Sequence, residues 1–178
     1  SIATAAFAVV SCSNYPAGLF TAYRHLADER PDVVLHLGDY MYEGGGPGVG
    51  RTHAGPETTT LAGYRQRYAQ YKTDADLQAA RAAAPWLVVW DDHEVDNNYA
   101  GQAPEEDAPV GPDGFVDRRV AAYQAWYEHM PVRFTPAAST HANQLCRGVR
   151  FTVIDREAFD SIALGAAAIA LLLHLPVA

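Results

Sequence analysis

Three apolar runs of this sequence each end in side chains that could bind a metal ion or move a proton. Cys12 follows the first run, Asp39 and Tyr42 follow the second, and the cluster at residues 91–94 follows the third. Each run has the length and β-branched character of a buried parallel strand, so the polar groups would lie where strands lead into loops. In open α/β sheets, ligands bind at that carboxyl edge. A thiol, a phenol, an imidazole and several carboxylates meeting there are more typical of a metal-assisted hydrolase than of a binding module.

The second cluster carries the most specific signal. A carboxylate directly after a strand, such as Asp39, can bridge two cations, and the phenol of Tyr42 reaches the same centre if the chain turns back. This pairing suits hard trivalent iron better than zinc, and a thiolate from Cys12 would complete the iron shell. A structural alternative stays open at this point. In it, Asp39 caps a strand-end turn, Tyr42 lies in the core and Cys12 is a buried packing residue.

The third cluster, Asp-Asp-His-Glu at residues 91–94, is unusually polar for the end of an apolar strand. One of Asp91 and Asp92 can bind a cation, and the asparagine pair that begins at Asn97 can add a carbonyl ligand. His93 can protonate a leaving alkoxide or stabilise a transition-state oxygen. The alternative is a helix N-terminus in which an aspartate caps the helix and the histidine is exposed to solvent.

Composition limits the classes of partner. The formal net charge of −8 argues against a general nucleic-acid or anionic-membrane surface. A phosphate ester would also be repelled unless bound cations reverse the local sign of the charge. Cys12 and Cys146 lie in different sequence contexts, so we expect no disulfide between them. Residues 1–6 lack the basic region and long apolar core of a signal peptide, which leaves a cytosolic chain or one whose signal was removed.

Strands and helices alternate in the predicted order of elements, as expected for an α/β domain. Strands are predicted at residues 7–12, 33–37, 86–90 and 151–155, and helices at residues 20–29, 61–71, 77–84 and 117–130. Gly- and Pro-rich loops are predicted at residues 44–57, beside the proposed site, and at residues 101–114. The other histidines are expected in the sheet (His36), on a mobile loop (His53) and at the surface (His25, His129 and His141).

Several ordered motifs carry a family resemblance. They are Ser11-Cys12, the segment from His36 to Glu43, Tyr64-Arg65-Gln66-Arg67-Tyr68, Tyr71-Lys72-Thr73-Asp74, the segment from Trp90 to Ala100, and Arg118-Arg119 through to Tyr127-Glu128-His129-Met130-Pro131. Together they cover residues 7–135 and resemble the PhoD-type alkaline phosphatase family. The resemblance implies a metallophosphoesterase-like β-sandwich flanked by helices. It also implies hydrolysis of phosphodiesters and some monoesters, an iron–calcium site, and a secreted or periplasmic location.

The resemblance also assigns residues. It places Cys12, Asp39 and Tyr42 on iron, with Asp39 as the bridge between cations. It places Asp92 and Asn97 nearer calcium, with Asp91 as the alternative to Asp92. His93 matches the histidine of the Gly-Asn-His-Asp/Glu motif in the wider superfamily, so it is the expected catalytic residue. In such a site the cations neutralise the phosphate oxygens and activate the attacking water, while this histidine assists the departing oxygen.

The resemblance weakens towards the C-terminus. Members of this family continue well past this length, and their later histidine-containing ligand motifs are not recognisable here. We therefore divide the chain into a partial domain at residues 1–161 and an apolar tail at residues 162–178. The tail fits a foreign or out-of-frame terminus, a buried helix or a membrane anchor.

This division affects the expected function. We expect phosphodiester hydrolysis to be far slower than in a longer relative, because few ligands are visible in this sequence. The alternative function is non-enzymatic: a truncated chain that binds a cation or a partner without turnover.

Overall fold

The computed structural model describes residues 4–132 and the backbone of residues 169–176. Four strands form one sheet in the order β3-β2-β1-β4. The strands are β1 (Thr4–Ser11), β2 (Val33–His36), β3 (Trp86–Val88) and β4 (Ile169–Pro176). The first three strands are parallel, and β4 is antiparallel to β1. The predicted mixed α/β class with a small parallel sheet is therefore confirmed.

The strand register places the predicted polar clusters side by side. Val10 of β1 pairs with His36 of β2, and His36 pairs with Val88 of β3. Each of these residues lies at or next to the carboxyl end of its strand. The loops that follow β1, β2 and β3 therefore leave the sheet from one edge, as the sequence predicted.

Four α-helices and one short 3₁₀ turn complete the described part of the chain. They are the turn Tyr15–Ala17 and helices α1 (Thr21–Glu29), α2 (Leu61–Tyr71), α3 (Ala75–Ala83) and α4 (Pro112–His129). Helix α1 packs against α3, and α2 packs against α4. The cap of α3 is local: the side chain of Asp74 accepts a hydrogen bond from the backbone N–H of Leu77 at 2.9 Å.

One face of the sheet is buried and the other is only partly covered. Alternate residues of the three parallel strands are buried on the first face: Ala8, Val10, Val34, His36, Trp86 and Val88. On the other face Val9 and Leu35 are half-buried, and Leu87 is 48% exposed. A tyrosine-rich core adjoins the buried face, with Tyr64, Tyr68 and Tyr71 of α2 fully buried on one side of the helix.

Four predicted boundaries are wrong by two residues or more. Strand β1 begins at Thr4 rather than at residue 7, and α3 begins at Ala75 rather than at residue 77. Helix α4 begins at Pro112 rather than at residue 117, because proline is favourable in the first turn of a helix. Residues 112–114, predicted as the end of a loop at residues 101–114, therefore belong to the helix. Strand β3 ends at Val88 rather than at residue 90, so Trp90 belongs to the loop that carries the third cluster.

The tail interpretation also needs correction. Residues 169–176 form strand β4, so the buried-helix interpretation is wrong there. A continuous apolar run does not distinguish a strand from a helix, and the unpaired edge of β1 offers a partner for an antiparallel strand. The predicted strand at residues 151–155, His141 and Cys146 lie outside the described residues. Within the described residues, no helix has both the length and the apolar character needed to cross a membrane.

Candidate metal centre

Backbone contacts hold the three loops together at the carboxyl edge of the sheet. The N–H of Ser13 donates to the carbonyl of Asp39 at 2.8 Å, and the N–H of Cys12 donates to the carbonyl of Gly38 at 3.3 Å. Gly38 has a φ of +105°, and a Cβ atom there would lie 2.5 Å from the backbone nitrogen of Asp91. A glycine is required at this position both for the backbone conformation and for the close approach of the two loops.

Two carboxylates and one imidazole converge at this edge. Ligand atoms of Asp39, Asp92 and His93 all lie within 4.8 Å of one another. Asp39 is 7% exposed and has a left-handed backbone conformation, with φ at 53°. Burial, reinforced by the neighbouring aspartates, raises the pKa of Asp39 to about 6, although His93 opposes the shift. Its buried Oδ1 atom has no hydrogen-bond partner, which is what an oxygen that ligates a cation requires.

Tyr42 and Cys12 complete the predicted iron ligands. The hydroxyl of Tyr42 donates to Oδ2 of Asp39 at 3.2 Å, and both of these side chains influence the pKa of the Cys12 thiol. Burial raises the pKa of the Tyr42 phenol and of the Cys12 thiol, and the carboxylate of Asp39 adds to both shifts. Both groups must therefore lose a proton before they can bind iron as anions. A carboxylate, a phenol and a thiol are donor types that a ferric ion accepts. Within the described residues, Cys12 does not belong to the cluster that Asp39, Asp92 and His93 form.

His93 is held by a carboxylate that the sequence did not single out. Its Nδ1 lies 2.8 Å from Oε2 of Glu43, and its ring packs against the ring of Tyr42 at a tilt of 32°, with the centroids 3.9 Å apart. Burial lowers the pKa of His93, but the hydrogen bond and charge of Glu43, with Asp39 and Asp92, outweigh it and raise the pKa to about 9. The ring is therefore protonated near neutral pH. Because Nδ1 is engaged by Glu43, Nε2 is the ring nitrogen available for chemistry.

The structure separates Asp92 from Asp91 and locates Asn97. Asp92 belongs to the cluster with Asp39 and His93, whereas Asp91 is exposed and does not. The backbone N–H of Asn97 donates to Oε1 of Glu43 at 2.7 Å. Its side-chain nitrogen donates to Glu105, which leaves the amide oxygen as the group that could reach a cation.

An open cavity of about 380 Å³ lies beside the cluster. Side chains of Tyr42, His93, Asn97, Glu43, His53 and Glu105 line it, together with the glycine-rich segment at residues 44–46. Of the predicted site residues, Tyr42, Asn97 and His93 line this cavity, whereas Cys12, Asp39 and Asp92 are not among its lining residues.

Comparisons with known proteins identify the family of this chain. The sequence model of the PhoD-like phosphatases matches residues 7–155. The chain belongs to this family. Alkaline phosphatase D of Bacillus subtilis (strain 168) is 52% identical over 147 residues, a match that covers 79% of this chain and 25% of that protein. A solved structure of PhoD superposes with a TM-score of 0.70 at 52% identity, covering 75% of this chain and 26% of the other. The chain thus spans about a quarter of the length of these PhoD-like relatives.

Sequence reasoning misjudged two histidines of this PhoD-like chain. His53 was expected on a mobile loop, but it is 5% exposed and its Nδ1 lies 2.6 Å from the carbonyl of Gly44. Its Nε2 contacts the hydroxyl of Tyr71 at 3.0 Å, so a core tyrosine fixes the loop. His129 was expected at the surface, but it is half-buried and stacks on Tyr68. His36 lies in the sheet as predicted, 1% exposed.

Two buried glutamates complete the site, and sequence reasoning gave neither a role. Glu43 is 4% exposed and holds His93, while Glu94 is fully buried and accepts three backbone hydrogen bonds. The available signal was position: each glutamate lies within a few residues of a predicted ligand on a strand-end loop.

Proposed function

We propose that this site binds iron and calcium and hydrolyses phosphate esters. One observation carries the proposal: Asp39, Asp92 and His93 bring their ligand atoms within 4.8 Å of one another, around a buried carboxylate oxygen that has no hydrogen-bond partner. Membership of the PhoD-like phosphatase family supports the same chemistry. Because the chain has a formal charge of −8, a phosphate ester needs cations at this site to overcome repulsion.

The residues divide into two sets of ligands and one proton donor. Cys12, Asp39 and Tyr42 are the proposed iron ligands. Asp92 and Asn97 are the proposed calcium ligands, and Asp39 is close enough to Asp92 to be shared. Bound cations would supply charge neutralisation of the phosphate oxygens and activation of the attacking water.

His93 supplies the proton. Glu43 orients the imidazole through Nδ1 and stabilises its charged form, so that Nε2 can donate to the departing alkoxide. The adjacent ring of Tyr42 restricts rotation of the imidazole. This arrangement favours a leaving group that needs protonation, such as the alcohol of a phosphodiester.

Family membership supports the remaining parts of the proposal. Phosphodiesters are the proposed main substrates, with some monoesters, and the proposed location is secreted or periplasmic. The four-stranded sheet is the proposed half of a metallophosphoesterase-like β-sandwich. The partly exposed Leu87 on the second face of the sheet is consistent with a further layer there.

Metal binding tests the site directly. The purified chain is treated with a chelator and then titrated with ferric iron and calcium, and bound metal is measured after gel filtration. We expect Asp39→Asn to lose both cations, since both share that carboxylate. We expect Asp28→Asn, which changes an exposed aspartate of α1, to bind as the parent does. A parent chain that binds neither cation would contradict the proposed site.

Turnover of a chromogenic phosphodiester tests the reaction. We expect activity that requires added iron and calcium and that is slower than in a longer relative. His93→Ala should retain metal but lower turnover by roughly 10²–10⁴-fold, the usual contribution of acid–base catalysis. Equal metal loss in His93→Ala and Asp39→Asn would instead make the histidine a ligand. The family comparisons do not favour the non-enzymatic alternative, and a metal-loaded chain without any turnover would revive it.

A further inference from the structure

We propose that Glu94 is a positioning residue that joins the loop after β2 to the loop after β3 and so sets the direction of Asp39 towards a cation. The proposal rests on the proposed function, because a positioning role has meaning only if Asp39 binds metal. In the described part of the chain, the hydrogen bonds of the Glu94 carboxylate go to backbone N–H groups.

The hydrogen bonds of Glu94 come from both loops. Its Oε2 accepts from the N–H of Asp39 at 2.9 Å and from the N–H of Asp91 at 2.8 Å. Its Oε1 accepts from the N–H of Tyr40 at 2.6 Å. Glu94 is fully buried, and none of the ion pairs in the described part of the chain includes it. Three backbone dipoles therefore solvate this buried carboxylate.

These bonds fix the peptide units on either side of the metal-binding carboxylate. The N–H of Asp39 donates to Glu94, and its carbonyl accepts from Ser13 of the loop after β1. Asp39 also has a left-handed backbone conformation, which aspartate tolerates better than most non-glycine residues but which is still less favourable than the common regions. Within the described residues, the N–H of Asp39 has no hydrogen-bond acceptor other than Glu94. If that acceptor is lost, the backbone of Asp39 can relax towards a more common conformation.

The third hydrogen bond extends the effect to the other ligands. Asp91 directly precedes Asp92 and His93 in the chain. Its N–H donates to the same oxygen of Glu94, Oε2, that accepts from the N–H of Asp39. One carboxylate oxygen thus sets the distance between Asp39 and the third cluster. Loss of this atom should change the separation of the ligand atoms while the sheet and helices stay folded.

Glu94→Gln is the sharpest variant, because it keeps the shape and replaces one acceptor oxygen by an NH₂ group. That group faces backbone N–H donors in either orientation, so at least one of the three bonds is lost. The matched control is Leu77→Ala, which opens a cavity at a buried position of α3, outside the sequence of both loops, and lowers stability. Both variants are compared with the parent at a temperature where circular dichroism shows all three to be folded.

Calcium and iron affinity of the three proteins decides the proposal. We expect Glu94→Gln to bind cations roughly 10–100-fold more weakly, the usual effect of losing a residue that orients a ligand. Leu77→Ala should bind within about twofold of the parent. The proposal is overturned if folded Glu94→Gln binds as tightly as the parent, or if the control loses affinity equally. A parent that binds no cation overturns the proposed function, and this inference with it.

Amide hydrogen exchange of the unsubstituted chain keeps the proposal testable if Glu94→Gln does not fold. Addition of calcium should slow exchange at Asp39, Tyr40 and Asp91 by a common factor, because one carboxylate holds all three N–H groups. Slowing at Asp39 and Tyr40 without slowing at Asp91 would show that Glu94 does not couple the two loops.

Discussion

The phenol of Tyr42 provides a direct spectroscopic test of the proposed iron ligands. A phenolate on ferric iron should give the iron-loaded chain a visible charge-transfer band. Tyr42→Phe should abolish this band without unfolding the protein, since the ring and its packing against His93 are kept. Cys12→Ser should shift the band and weaken iron retention, because a hydroxyl is a poorer soft ligand than a thiolate. A colourless iron-loaded protein, or a band that survives Tyr42→Phe, contradicts the assignment.

Glu43 should control the charge state of His93. Replacing Glu43 by glutamine removes the negative charge beside Nδ1, so the pKa of His93, about 9 in the parent, should fall by roughly 1–3 units. NMR titration of the chelator-treated protein measures this shift. Glu57→Gln is the control, because Glu57 lines the same cavity but pairs with Arg118. An unchanged His93 titration in Glu43→Gln would rule out the positioning role of Glu43.

At the scale of elements, a substitution at Gly38 tests how much the close approach of two loops adds to the cost of an unfavourable backbone conformation. Gly38→Ala should cost more than the roughly 1 kcal/mol of left-handed strain, because its Cβ would meet the loop after β3. Gly46→Ala is the matched control: Gly46 has a φ of +96° but open space around its Cβ position. Urea unfolding of both variants measures the difference. Equal losses would mean that the two loops can move apart freely.

The sequence predicted the elements whose signals are local. Helix α2 has its predicted bounds, because three tyrosines at helical spacing mark its buried side. The segment at residues 73–76 likewise indicates an N-cap, and the structure places that cap at Asp74. Strand β4 was not predicted, since its pairing depends on β1 at the other end of the described chain.

The same contrast holds within the site. Strand-end position and residue type predicted that Asp39, His93 and one of Asp91 and Asp92 would be neighbours, and the structure brings Asp92 into the cluster. The roles of Glu43 and Glu94 were not predictable, because their partners lie 50 and 55 residues away along the chain. Long-range hydrogen bonds of this kind leave no periodic signal in a single sequence.

For the whole molecule, His36 predicts a loss of stability in acid. Burial lowers its pKa to about 3, from an ordinary value of 6.5. Between these values the unfolded chain binds a proton that the folded chain does not, so this residue destabilises the fold as pH decreases from 6.5 towards 3. The slope approaches about 1.4 kcal/mol per pH unit.

Urea unfolding at several pH values measures this slope. His36→Phe should flatten it relative to the parent, although the variant also loses the hydrogen bond from the N–H of Gly38 to Nδ1. His25→Gln, at an exposed position of α1, is the control and should retain the parent slope. A parent and a His36→Phe variant with the same pH dependence would contradict this account.

The adjacent rings of Tyr42 and His93 also give the site an internal reporter. An aromatic ring whose centroid lies 3.9 Å away shields the protons of its neighbour, so the imidazole protons of His93 should resonate upfield of those of an exposed histidine. Any event that moves the loop after β2 against the loop after β3 would change that shielding. The proton spectrum can therefore follow the relative position of the two loops without a label, a substrate or a coloured metal.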